Sequence, residues 1–168
     1  MEFRKVIENR YSVRAYKSDP IEKKKLDLIL TAAQLAPTAA NRQPFRLIVI
    51  KTEKYQAELL KVYNKNWFIA APLVICACAV QTEAWKRRDS KNYADVDTTI
   101  AMDHLILAAA NEGLGTCWIA AFDPDSARSC LRIPPDWEPV AFTPLGYPDD
   151  NWKEKRRKAI DDLVIYME

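Results

Sequence analysis

Apolar residues first recur at helical spacing at Phe3, Val6 and Ile7, which marks a short amphipathic helix at the N-terminal end. A second helix is predicted to open with Asp19 as its N-cap and Pro20 in the first helical position. Its inward stripe is Leu26, Ile29, Leu30 and Ala33, and Pro37 ends it. A strand follows at Phe45 to Ile50, and Thr52 is placed to cap a third helix reaching about Tyr63. Pro72 to Val80 lacks polar alternation, the mark of a strand covered on both faces. From Asp95 to Asn111 the chain is apolar on nearly every side, including Ile100, Met102, Leu105, Ile106 and Leu107. This predicts a central or interface helix whose burial a second subunit completes. Beyond it come a strand at Thr116 to Phe122, a short helix capped by Asp123 with Pro124, a strand near Val140 to Leu145, and a terminal strand at Leu163 to Tyr166. Helices and strands mix without strict βαβ alternation, so the class is α+β, or mixed α/β.

Two of the three glycines, Gly113 and Gly115, fall in NEGLGTCWIAAFD, between the long apolar helix and the strand that follows. A helix C-cap followed by a turn explains Gly113, but it leaves Gly115 without a specific reason. A dinucleotide-binding fingerprint is excluded, because G-x-G-x-x-G would need glycine at Trp118 and should follow a strand.

Composition narrows the classes further. With 168 residues, 49% hydrophobic and 29% charged, a single domain over 1–168 with a substantial core is expected. No run approaches the roughly 20 apolar residues of a membrane span, and MEFRKVIENR is charged throughout, so a cytoplasmic protein without a membrane partner is expected. A net charge of +2 gives no reason to expect nucleic acid as a partner. Cys76, Cys78, Cys117 and Cys130 read as reduced thiols. Cys76 and Cys78 share one side of a strand, and buried small side chains explain them better than a metal site. His104 is the only histidine, which leaves no second imidazole for a relay and favours a packing role.

Three stretches could carry chemistry. In NRYSVRAY, Arg10, Ser12 and Arg14 alternate with Tyr11 and Val13, so an extended chain would aim two guanidiniums and a hydroxyl to one side. That suits a phosphate, and it equally suits a solvated basic edge strand. In LAPTAANRQPFRLIVI, Pro37, Thr38, Asn41 and Gln43 lie on a loop that is either a plain turn or an amide-rich reader of a polar ring edge. The basic run Lys153, Lys155, Arg156, Arg157 and Lys158 behind GYPDD is a solvated loop or a set of anion contacts. No hydrolytic triad or paired-acid arrangement is present, so an enzyme of this sequence would rely on a cofactor.

Taken in order, RYSVRAY, APTAANRQPF, AAANEGLGTCWIAAFD, PLGYPDD and RRKAIDDLVIY cover almost the whole chain. Together they resemble the nitroreductase family of FMN-dependent oxidoreductases. The resemblance implies a nitroreductase-like α+β fold, with a central mixed sheet flanked by helices, in an intertwined homodimer holding two FMN molecules at its interface. It also implies ping-pong transfer of a hydride from NADH or NADPH through flavin N5 to a small-molecule acceptor such as a nitroaromatic or a quinone. Position by position, Arg10, Tyr11, Ser12 and Arg14 fall in the motif for the FMN phosphate and ribityl chain. Pro37, Thr38, Ala39, Asn41 and Gln43 would reach the flavin from the other subunit, and Asn64 aligns with a further flavin-edge asparagine. Arg157 and Lys158 match a C-terminal phosphate contact.

On the same resemblance, main-chain N–H groups near Ala120 and Ala121 would face the flavin, with Trp118 and Ile119 packed around that wall. Gly113 and Gly115 would let the chain pass close to the ring. No side chain is implied as a catalytic group. Ala39, Ala120 and Ala159 depart from the family's common serine, glycine and proline. A specialised flavoenzyme of the same fold, for reductive dehalogenation or flavin breakdown, and a non-enzymatic flavin- or nucleotide-binding module are the alternatives.

Overall fold

β2 (Leu73–Val80) is buried from Val74 to Val80 because its two faces meet two different helical layers. Ile75 and Ala77 pack toward α2 (Lys23–Gln34) and α4 (Ala94–Asn111). Val74, Cys76 and Cys78 pack toward α3 (Gln56–Val62) and α5 (Pro124–Leu131). Period-2 alternation therefore separates two apolar sets, which is why the sequence shows an unbroken apolar run. The computed structural model describes residues 2–152 and 154–167.

The sheet has the order β1-β2-β4-β3, where β1 is Phe45–Lys51, β3 is Gly115–Thr116 and β4 is Trp137–Gly146. Its three ladders are all antiparallel, so the expected mixed sheet reduces to antiparallel ladders plus one parallel bridge, Ser12 to Thr116. On the α2/α4 face lie Ile29, Ala33, Ala101, Met102, Leu105 and Leu145; on the opposite face are Leu59, Phe68 and Phe142, with Phe122 edge-on to Phe142 at 4.8 Å.

α1 (Phe3–Asn9), β1, β2, α4 and α5 form close to where periodicity predicts them. Asp123 caps α5, accepting from the Ser126 N–H at 2.7 Å with Pro124 behind it, a contact worth about 1 kcal/mol. α4 is buried along Ala101, Met102, Leu105, Ile106 and Ala109, while Val96 is 40% exposed and Ile100 and Leu107 are half-buried. His104 is half-buried on this helix, with Nδ1 3.1 Å from the Ile100 carbonyl.

Four expectations are corrected. α2 starts at Lys23, not at Asp19–Pro20, because the preceding segment is extended: Tyr16 bridges Pro148 and the Lys17 N–H donates to the Tyr147 carbonyl. Thr52 does not cap α3; it begins a short 3₁₀ turn, Thr52–Lys54, and its hydroxyl is buried without a partner among the described residues. The strand expected over Thr116 to Phe122 stops at Thr116, because the Cys117 N–H is taken by the Thr143 hydroxyl rather than by a neighbouring carbonyl. Pairing resumes only at Ile119, which exchanges both hydrogen bonds with Phe142. Leu163 to Tyr166 is not a strand. A 3₁₀ turn at Ile160–Asp162 leads into exposed chain with no edge beside it among the described residues.

Gly113 has φ +76°, the left-handed conformation that ends a helix. Gly115 serves a different end from the one expected, since a Cβ there would lie 2.6 Å from Val13 Cγ2. The close approach is made by the N-terminal segment of the same chain. Gly115→Ala is therefore expected to destabilise the protein by about 1 to 3 kcal/mol through overpacking, with partial recovery when combined with Val13→Ala. Thermal unfolding measures this, and an unchanged midpoint for Gly115→Ala would refute the contact.

Candidate functional site

Residues 10–16 run extended across the end of β3, where the Val13 N–H donates to the Thr116 carbonyl at 3.0 Å. Val13 and Tyr16 are buried, and the Tyr16 hydroxyl donates to the Val13 carbonyl at 2.8 Å. With Val13 inward, Ser12 and Arg14 face outward and Arg10 is half-buried, the alternation that an extended chain imposes. Both carboxylate oxygens of Asp150 clamp this stretch. Oδ1 accepts from the Tyr11 hydroxyl at 2.8 Å and Oδ2 from the Arg14 N–H at 2.8 Å. Burial first, and then Asp150, push the Tyr11 hydroxyl pKa up to about 12, so Tyr11 holds the segment rather than facing outward with the arginines. The Arg14 guanidinium lies 5.8 Å from the centre of the Trp67 ring. Burial raises the pKa of the Cys117 thiol, opposed by Arg14, by a hydrogen bond with Ser12 and by Arg10.

The basic run returns to the same place. The Lys155 ammonium donates to the carbonyls of Ile7 and Glu8 at the C-terminal end of α1, where the helix dipole favours a cation. Its pKa is lowered by burial first, then by the charges of Arg10 and Arg157. Arg157 and Lys158 are exposed; Lys153 lies outside the described residues. A cavity of about 150 Å³ opens beside Arg10 and Tyr11, bounded by Ala110, Gly113 and Thr116.

Past the Ile119–Phe142 pairing the chain turns outward. Ala120 and Ala121 are exposed, and no hydrogen bond among the described residues uses their N–H groups. Trp118 is partly exposed, but the Ile119 side chain is buried in the core beside Phe142, so only its main chain can shape a wall here.

The loop with Pro37, Thr38, Ala39, Asn41 and Gln43 stands elsewhere. Ala40, Asn41 and Gln43 have φ of 50°, 54° and 52°, which is uncommon for residues other than glycine. The Thr38 hydroxyl accepts from the Gln43 N–H at 3.0 Å, and Gln43 Nε2 donates to Asn41 Oδ1 at 3.2 Å. The Ala39 N–H donates to Oδ1 of Asp97, in the first turn of α4, at 3.0 Å. Ala110, beside the Arg10 cavity, is 13 residues further along this helix, roughly 20 Å away. The anchor and the Ala120 segment thus share one neighbourhood within the chain, and the loop lies at the other end of α4. Asn64 is exposed on the turn after α3, three residues before Trp67.

Sequence reasoning missed Asp150, Trp67 and Asp97, and it did not single out Lys155 within the basic run. Asp150 sat in the quoted PLGYPDD stretch and Lys155 in that run, whereas nothing local distinguishes Trp67 or Asp97. The chemistry of the donor set fits a flavin phosphate: Lys155 stands at the end of α1 that leads into Arg10, and the unengaged N–H groups of Ala120 and Ala121 follow the bridge between Thr116 and Ser12. Among the described residues no group of three or more His, Cys, Asp or Glu could hold a metal ion, and the Cys76 and Cys78 sulfurs lie 3.6 Å apart in the core.

The sequence profile of the Nitroreductase family matches residues 7–66 and 53–147. The crystal structure of a nitroreductase family protein from Clostridium difficile 630 is 35% identical and superposes with a TM-score of 0.92, covering 100% of this chain and 99% of that one. An FMN-dependent nitroreductase from Clostridium difficile R20291 is 28% identical with a TM-score of 0.79, covering 96% of each chain. A Thermus thermophilus protein named NADH dehydrogenase is 26% identical over 188 residues, covering 94% of this chain and 92% of its own. With the profile spanning most of its length and a 35% identical relative aligned end to end, the chain belongs to the nitroreductase family.

Proposed function

We propose that the protein is an FMN-dependent oxidoreductase that passes electrons from NADH or NADPH to a small electron-poor acceptor such as a nitroaromatic or a quinone, and that it works as a homodimer. The observation that carries this reading is the Lys155 ammonium seated on the Ile7 and Glu8 carbonyls, at the end of α1 that leads through Arg10 into the exposed Ser12–Arg14 stretch. That stretch is bridged to Thr116, four residues before Ala120. The names of the Clostridium difficile R20291 and Thermus thermophilus relatives support the flavin and the nicotinamide donor respectively.

A bound FMN, which Arg10, Lys155 and Arg157 would hold by its phosphate, would supply the redox chemistry between the nicotinamide and the acceptor. The chain's own residues bind and orient. Arg10, Arg157 and Lys155 attract the phosphate, and Ser12 and Arg14 extend the contact, with Asp150 and Trp67 fixing the direction of Arg14. The N–H groups of Ala120 and Ala121 are free to donate to the electron-rich edge of the ring system, an electrostatic contribution that needs no ionisable side chain. Arg10→Ala is expected to weaken FMN roughly 10- to 150-fold, for a charged hydrogen bond of about 1.5 to 3 kcal/mol, while riboflavin changes little. Titration by flavin fluorescence measures both, and equal weakening of the two flavins would remove Arg10 from the phosphate site. Bleaching of the bound flavin by NADH or NADPH without air, followed by reoxidation with a quinone, tests the oxidoreductase reading itself.

The separation of loop and anchor along α4 supports the homodimer, in which the loop of one chain would meet the anchor of the other at one flavin. Apolar surface supports it. Phe3 and Ile7 on α1, Leu28 on α2 and Val96 on α4 are exposed, as are Ile160, Leu163, Ile165 and Tyr166 in the tail. The tail's strand-forming composition, with no strand neighbour among the described residues, suits pairing with a second copy. Sedimentation at micromolar concentration is expected to give a dimer. Leu163→Asp with Ile165→Asp is expected to shift it toward monomer and to reduce FMN binding with it. A wild-type monomer that binds FMN fully would refute the arrangement.

A further inference from the structure

We infer that Asp97 is the positioning residue of the loop at residues 38–43: its buried carboxylate holds the Ala39 N–H and so keeps the loop in its left-handed conformation and in register with α4. This rests on reading that loop as flavin-lining.

Three left-handed residues within four positions are sustained only if their surroundings over-determine them. Asn41 tolerates this conformation, but Ala40 and Gln43 have no local reason to adopt it. Most of the loop's bonds run within it. The Asn41 N–H reaches the Thr38 carbonyl, the Arg42 N–H the Ala39 carbonyl, and the Gln43 N–H the Thr38 hydroxyl. Its exit is fixed where the Pro44 carbonyl accepts from the Val80 N–H at 2.8 Å. Among the described residues, the bond that ties the middle of the loop to the helical layer is Ala39 N–H to Asp97 Oδ1, at 3.0 Å and 58 residues away in sequence.

Asp97 is 2% exposed, and its Oδ2 has no partner among the described residues. A buried carboxylate with an unused oxygen is costly, and filling space does not explain it. Its place in the first turn of α4 reduces that cost, because the helix dipole favours negative charge there. Ala110, at the opposite end of α4, borders the Arg10 cavity. The Asp97 bond therefore sets the loop at a fixed distance along the same rigid element that carries the anchor's surroundings.

The test compares the full chain with D97A and D97N. Amide hydrogen exchange without flavin is read over residues 36–45 and over β2, and the absorption spectrum and affinity of bound FMN and riboflavin are measured. In D97A the Ala39 amide is expected to exchange at least about tenfold faster while β2 keeps its protection. FMN and riboflavin are expected to weaken by the same factor, about tenfold, because the phosphate anchor is untouched, and the bound-flavin spectrum is expected to shift. D97N, which keeps an acceptor, is expected to restore most of the protection and affinity. An amide-to-ester replacement at residue 39 removes the donor with Asp97 in place and is expected to reproduce D97A; it decides the matter if D97A does not fold. Unchanged exchange at Ala39, equal loosening of β2, or a loosened loop with unchanged flavin affinity and spectrum would each overturn the inference. Failure of the wild-type chain to bind flavin would instead overturn the functional reading, with the exchange experiment still reporting on the Asp97 bond.

Discussion

The contact of Val13 with Gly115 and Thr116 decides where the candidate site can form. The Val13 N–H donates to Thr116, and its side chain fills the space that a Cβ at residue 115 would occupy. Once Val13 is inside, period-2 geometry directs Ser12 and Arg14 outward. Asp150 then clamps the stretch from the far end of the chain, 136 positions after Arg14. A glycine that a helix cap and turn left without a specific reason thus aligns the candidate anion-binding stretch with the segment leading to Ala120.

α4 imposes the second constraint. Its buried side joins the central sheet, while its first turn holds the loop through Asp97 and its last turn borders the Arg10 cavity. Because a helix is rigid over this length, those ends stay roughly 20 Å apart. The exposed apolar residues on α1, α2, α4 and the tail are surface that the proposed homodimer would bury. Local costs concentrate near the same helix: left-handed non-glycine residues in the loop and a carboxylate oxygen without a partner. The surrounding packed core is what can sustain them.

Signals carried by neighbouring residues were legible in the sequence. The Asp123–Pro124 cap, the apolar run of β2, the alternation of Arg10, Ser12 and Arg14, and the length of α4 each depend on short-range geometry, and each is found in the structure. Where a local signal competed with a distant partner, the distant partner won. Asp19–Pro20 reads as a helix start, yet pairing with Tyr147 and Pro148 keeps that region extended; Cys117 reads as strand, yet its N–H goes to the Thr143 hydroxyl. The terminal strand failed for lack of an edge to pair with, since strand propensity without a ladder does not hold a strand.

The sequence by itself determined the α+β class, the partition of apolar positions between two faces of a sheet, and the outward set of the N-terminal arginines, because helical and strand periodicities act over a few residues. Its ordered motifs also pointed to the family. Only the tertiary structure decided that Gly115 makes room for Val13, that Asp150 clamps Tyr11 and Arg14, that Lys155 reaches the Ile7 and Glu8 carbonyls, and that Asp97 holds the loop. Each of these is a contact between residues far apart in the chain, and no local pattern records such a pairing until the packed sheet and helices bring the partners within hydrogen-bonding or van der Waals distance.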